Sequence, residues 1–186
     1  MNTNATQSLR QRHGVGMLAG LMGLLTGCQA NFPRVDPTGQ SFPAVVGSTL
    51  EGVEVKLPAD LAGRPVVLLV GYEMKAQFDI DRWLLGLQQA GVDIPLYEVP
   101  TIVGMVPGMI AGKIDGGMRR GIPQEDWASV ITVYGDAKKI ARFTGNDDRL
   151  TGRVLLLDGE GRVVFFHDQG YSVSALARLR EKIGGL

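Results

Sequence analysis

The chain predicts an α/β domain, a central mixed β-sheet flanked by helices, and three observations carry that expectation. PVVLLVG over residues 65–71 is an unbroken apolar, β-branched run, as expected of a central strand covered on both faces. Two stretches, 74–90 and 172–183, repeat apolar residues at helical spacing. RVLLL and VVFFH are separated by Asp158-Gly159-Glu160-Gly161, a strong hairpin signal.

The elements follow in chain order. Residues 53–57 alternate as a short strand, and 65–71 form the first central strand. In the helix expected over 74–90, Ala76, Ile80, Trp83, Leu84 and Leu87 fall on one face, and Gly91 is placed to end it. Residues 94–99 are a second strand stopped by Pro100, and SVITVY over 129–134 is a third. Asp136 is positioned to cap a short helix through Phe143. After the hairpin, Val173, Leu176, Leu179 and Ile183 make one stripe of a closing helix.

Ahead of this domain the pattern changes. Residues 1–13 are polar, carrying Arg10 and Arg12 with no acidic residue, and 14–27 read GVGMLAGLMGLLTG, apolar and small. A basic start, a short apolar run and small residues before a boundary make a secretory signal. The run is too short to span a membrane, which takes about 17–25 apolar residues. Five glycines in fourteen residues also argue against a buried core helix. Leu25-Thr26-Gly27-Cys28 resembles the lipobox of bacterial lipoproteins, position by position. That resemblance implies a diacylglyceryl group on the Cys28 thiol, cleavage before Cys28, and acylation of the new amino terminus. Two or more chains anchor stably where one does not. Gln29 in place of Asp implies sorting to the outer membrane, facing the periplasm, in a Gram-negative host. The expected organisation is a cleaved signal over 1–27, a lipidated flexible tether over 28–42, and one domain over 43–186. The tether expectation rests on Pro33, Pro37 and the lack of periodicity in QANFPRVDPTGQSF.

With the signal removed, about 160 residues remain, enough to bury about two thirds of the unfolded surface. The signal takes two of the 19 basic residues and none of the 19 acidic ones, so the mature chain is slightly acidic. It shows no basic stripe, which speaks against nucleic acid as a partner.

The order of elements, with FPAVVGSTLEGVEVKLPADLAGRPVVLLVGY opening the domain, resembles the thioredoxin fold. VITVYGDAKKIARFTGNDDRLTGRVLLLDGEGRVVFFHDQG is similar to the mitochondrial ATP synthase assembly-factor family, itself thioredoxin-like, around Tyr134-Gly135-Asp136 and 154–161. The resemblance implies a Cys-x-x-Cys just after the first central strand and a proline facing it. This chain has neither: the first place reads Gly71-Tyr72-Glu73-Met74-Lys75-Ala76, and the second Leu150-Thr151-Gly152. Cys28 is the only cysteine, and acylation would consume it. A methionine thioether cannot ionise to a nucleophile, so thiol chemistry is not expected.

Other chemistry is sparse. The mature chain has one histidine, His167, which reads better as a satisfied strand-end residue than as a general base. Asp79 and Asp81 complement a helix N-terminus or, more sharply read, form a catalytic pair. No nucleophile elbow or phosphate-binding loop is present, and no cofactor or metal is expected. In IVGMVPGMIAGKIDGGMRR over 102–120, glycines recur every four residues. With Pro107 in a first turn, Gly108, Gly112 and Gly116 would form one small-residue helix face. That face packs on the domain's own sheet or docks a partner helix, with Arg119 and Arg120 beside it to grip an acidic group or stay solvated.

The expectation for function is a lipid-anchored, redox-inactive binding or assembly protein of the bacterial cell envelope, held to the membrane at Cys28 and meeting an envelope protein. The alternative is an enzyme with a non-thiol site near Tyr72, Glu73 and Asp136.

Overall fold

A computed structural model describes residues 30–186; the expected signal over 1–27 and the expected acylation site Cys28 lie outside them. Four strands make a mixed sheet: β3 (Val66–Gly71), β4 (Leu96–Pro100), β6 (Arg153–Leu157) and β7 (Val163–His167), in the order β4-β3-β6-β7. β3 runs parallel to β4 and antiparallel to β6, and β6 is antiparallel to β7. A second sheet, β2-β1-β5, joins β1 (Val45–Thr49), β2 (Glu54–Leu57) and β5 (Ile131–Thr132).

Side-chain alternation along β3 and β6 divides the core in two. Val66, Leu68, Val70, Leu155 and Leu157 face one cluster, closed by Phe42, Val45, Ile131 and helix α3 (Ala137–Thr144) through Ile140 and Ala141. Val67, Leu69, Val154 and Leu156 face the other, covered by α1 (Gln77–Gln89) and α4 (Val173–Gly184). The α1 face is the expected one: Ala76, Ile80, Trp83 and Leu87 are buried. Gly91 ends that helix with a positive φ of 63°, while the Val92 N–H reaches back to the Leu87 carbonyl. Ser172 caps α4 by accepting from the Ala175 N–H.

Four expectations change. The strand read over 129–134 shrinks to Ile131 and Thr132, because its residues divide their partners. Ile131 and Thr132 pair with β1, whereas Val130 and Val133 bridge Glu98 and Thr101 beside β4. Asp136 precedes α3 without capping it; its carboxylate accepts from the Val46 N–H and from Lys139 instead. Val173 leaves the α4 stripe for solvent, and Ala175 takes its place in the core.

The largest change concerns the tether expected over 28–42, of which 30–42 are described. Residues 30–42 are no loose tether but a strap along the domain. At one end Phe42 is buried and its N–H donates to the Gly161 carbonyl, while Gly39 and Gln40 exchange backbone bonds with Val163. At the other, Asn146 accepts from the Phe32 N–H (2.7 Å) and donates to the Ala30 carbonyl (3.1 Å). Arg34 pairs with Asp168. The strap has no sequence period because side-chain amides, bridges and ion pairs hold it rather than a ladder. Gly145, at φ +75°, is needed beneath it: a Cβ there would stand 2.5 Å from the Pro33 carbonyl oxygen.

Candidate functional site

In an open α/β sheet, the crevice outside the carboxyl ends of parallel strands is where ligands bind. Here β3 and β4 end together at Gly71 and Pro100, beside Arg153 at the head of β6. The segment 71–76, where the resemblance implies a dithiol, lies at this end.

Tyr72 turns inward from it. Its hydroxyl is 2.7 Å from Thr144 Oγ1, which also bonds the Ile140 and Gly145 carbonyls. Burial pushes the phenol pKa up, so Tyr72 stays neutral. Beside it lies the guanidinium of Arg153, 5.6 Å from the ring centroid and only 1% exposed. Arg153 donates to the carbonyls of Gly145, Asp148 and Thr151 and to the Thr151 hydroxyl, with Asp147 3.8 Å away. The loop TGNDDRLTG is therefore wound around one buried cation. Glu73 meets Arg149 at 3.6 Å on the rim.

Two depressions open here. One, about 360 Å³, lies between Arg34, Asp147, Thr151, Arg153 and Asp168. The other, shallower, is lined by Asn31, Glu73, Asp147, Asp148, Arg149 and Leu150. Their charges are largely committed to partners within the fold. No group of three or more metal-ligating side chains occurs among the described residues.

The other candidates are dispersed. Asp79 is buried and accepts from the N–H groups of Gly152 (2.9 Å) and Tyr171 (2.6 Å), so it ties α1 to two loops; Asp81 is exposed and accepts from Gln77. They make no catalytic pair. His167 places Nε2 2.7 Å from the Gly170 carbonyl, a satisfied strand-end histidine. Tyr72, Glu73 and Asp136 each bond a different partner and do not converge.

The glycine segment is helical: α2 (Gly108–Gly121) follows Pro107, and none of its residues is buried. A Cβ at Gly108, Gly112 or Gly116 would meet nothing within 4 Å, so this face does not pack on the domain's own sheet. Arg119 is engaged at home, donating to the Leu50 carbonyl at 2.6 Å with its guanidinium 5.8 Å from the Trp127 ring; Arg120 is exposed. Tyr134 secures the helix through the Ala111 carbonyl and Asp115. Sequence reasoning missed Arg153, Thr144 and Asn146. Arg153 alone left a trace, a cation heading the apolar run RVLLL.

No known protein family matches the sequence, and no curated protein does. By structure the chain is similar to a putative protein disulfide isomerase from Bacteroides thetaiotaomicron, with a TM-score of 0.54 at 16% identity, covering 83% of this chain and 95% of that one. It is similar to BsSco, described as a member of the Sco family of cytochrome c oxidase assembly proteins: TM-score 0.53, 10% identity, 80% and 96% covered. It is also similar to an exposed lipoprotein thioredoxin from Streptococcus pneumoniae, with a TM-score of 0.50 at 14% identity, over 75% and 99% of the two chains. At such identities the likeness shows the fold alone. The fold is thioredoxin-like.

Proposed function

We propose that this chain is a lipid-anchored binding or assembly protein of the bacterial cell envelope, in which a thioredoxin-like fold carries out no thiol redox chemistry. One observation carries the reading. Where a dithiol would stand after β3, Tyr72 is plugged into Thr144 beside the buried Arg153, and the sequence holds no cysteine besides Cys28. Both thioredoxin and peroxidase cycles need a thiolate nucleophile.

The lipobox-like LTGC motif supports the anchor, and Gln29 favours the outer membrane facing the periplasm. Among the described residues no helix is long and apolar enough to cross a membrane. The resemblance to the ATP synthase assembly-factor family supports an assembly role, in line with the Sco neighbour's description. The open face of α2, Gly108, Gly112 and Gly116 with Arg119 and Arg120 at its end, is the surface assigned to the envelope partner. An enzyme with a non-thiol site is disfavoured, because the groups it would use are committed separately.

The test compares the full chain with Cys28→Ser in a Gram-negative host given labelled fatty acid. The native chain should be processed and labelled, and the variant should remain an unlabelled precursor. Normal processing and labelling of the variant would remove the anchor. Catalytic reduction of insulin disulfides, or peroxide turnover with reductant supplied, would remove the redox-inactive reading.

A further inference from the structure

We propose that the sheet end carrying 71–76 rests directly on the membrane surface, with Met74, Phe78 and Leu150 seated in the lipid headgroup layer. The proposal rests on the acylation of Cys28 argued above and adds an orientation to it.

The first support is where Ala30 is held. Asn146 clamps the Ala30 carbonyl and the Phe32 N–H, and the Asn146 N–H donates to the Phe32 carbonyl. Cys28 is two residues before Ala30, so their Cα atoms stand at most about 7.6 Å apart. A tether fourteen residues long would let the domain stand off by about 45 Å, whereas this clamp leaves almost no slack. The acyl chains must enter the bilayer beside Asn146.

The second support is the surface found there. Asn31, the residue after the clamped Ala30, lines the shallow depression together with Glu73, Arg149 and Leu150. Leu150 of this lining is 56% exposed, and the segment that follows Glu73 presents Met74 at 92% and Phe78 at 75% exposure. Met74 and Phe78 are four residues apart across the start of α1, so they project from neighbouring turns. Apolar side chains on a surface-bound element sink about 5–10 Å into the boundary between headgroups and acyl chains. Of the three carboxylates in the depression, Glu73 faces Arg149 at 3.6 Å and Asp147 lies 3.8 Å from Arg153, while Asp148 accepts from the Leu150 N–H. The attraction to the membrane therefore falls to the apolar side chains and the acyl anchor, not to the charges of the depression.

The experiment uses the full chain, purified from membranes and reconstituted in phosphatidylethanolamine–phosphatidylglycerol vesicles with brominated acyl chains. Met74→Cys, Phe78→Cys, Leu150→Cys and Glu160→Cys are each labelled with an environment-sensitive dye. All four positions are exposed, and Cys28 is the only native cysteine. Glu160 lies in the β6–β7 turn at the far end of the sheet and serves as the control. Bromine should quench the first three dyes severalfold more than the fourth, with mass spectrometry showing an acylated Cys28. An acylated Cys28 with all four dyes equally open to aqueous iodide overturns the orientation and leaves the anchor standing. Protection from iodide without quenching by lipid also overturns it, since a protein then covers the face. An unmodified Cys28 overturns anchor and orientation together.

Discussion

Arg153 is a full cation at the head of a strand whose residues are all buried, and its four hydrogen bonds hold the loop 145–152 in shape. Removing it takes the guanidinium donors from the Asp148 and Thr151 carbonyls, while the Gly145 carbonyl keeps the Thr144 hydroxyl. Arg153→Met should therefore cost about 1–3 kcal/mol for each buried carbonyl left unsatisfied. Arg153→Lys should recover only part of this, because an ammonium cannot reproduce the planar fork. Denaturant unfolding of both variants measures it; a wild-type midpoint in either would show that the loop does not depend on the guanidinium. Glu98 offers a pH test. Burial raises its pKa, Asp81 and Asp126 add to the rise, and the Gln77 amide opposes it. The folded state thus holds that proton more tightly than the unfolded chain. Stability is lost as pH rises from the unfolded value, about 4.3, through the raised folded one. Glu98→Gln keeps an acceptor for Gln77 and should melt higher at pH 7, with the gain vanishing near pH 4. A gain of equal size at both values would mean that ionisation is not its source.

Among the elements, α1 and α2 use glycine in opposite ways. Gly86 of α1 lies where a Cβ would come 2.6 Å from the Tyr171 ring, so Gly86→Ala must displace an aromatic that packs edge-on against Trp83. A loss of about 1–3 kcal/mol is expected. In α2 a Cβ at Gly112 or Gly116 meets open space. There alanine restores helix propensity, and each substitution should add up to about 1 kcal/mol. Thermal melts of the three single variants should show opposite signs for the two helices. A loss at Gly112 in the isolated protein would mean that α2 packs against something within the domain.

For the molecule as a whole, the strap 30–42 converts a two-sheet domain into one whose beginning is locked to its far loop. Asn146 spans more than a hundred residues of sequence with its side-chain amide. Asn146→Ala deletes both of those bonds and should cost about 1–3 kcal/mol, at about 1 kcal/mol or somewhat more for each. Hydrogen exchange should speed up at Phe32 and Val35 while β3 and β6 remain protected. Unchanged protection at Phe32 would show that Phe42 and the Arg34–Asp168 pair hold the strap without it.

Legible in the sequence were the α/β class, the buried strand 65–71, the face of α1, the β6–β7 hairpin and the helical character of the closing segment. All are local: periodicity, a run of β-branched residues and a turn motif mark them within a few residues. The absence of a dithiol after β3 was equally plain, since it needs only the identity of residues 71–76. The tertiary structure alone decided that Tyr72 plugs into Thr144, that Asp79 ties α1 to two loops, that α2 opens its glycine face to solvent, and that 30–42 binds the domain. Each depends on partners far away in the chain, or on finding none, and hydrogen bonds between distant residues leave no period in a sequence.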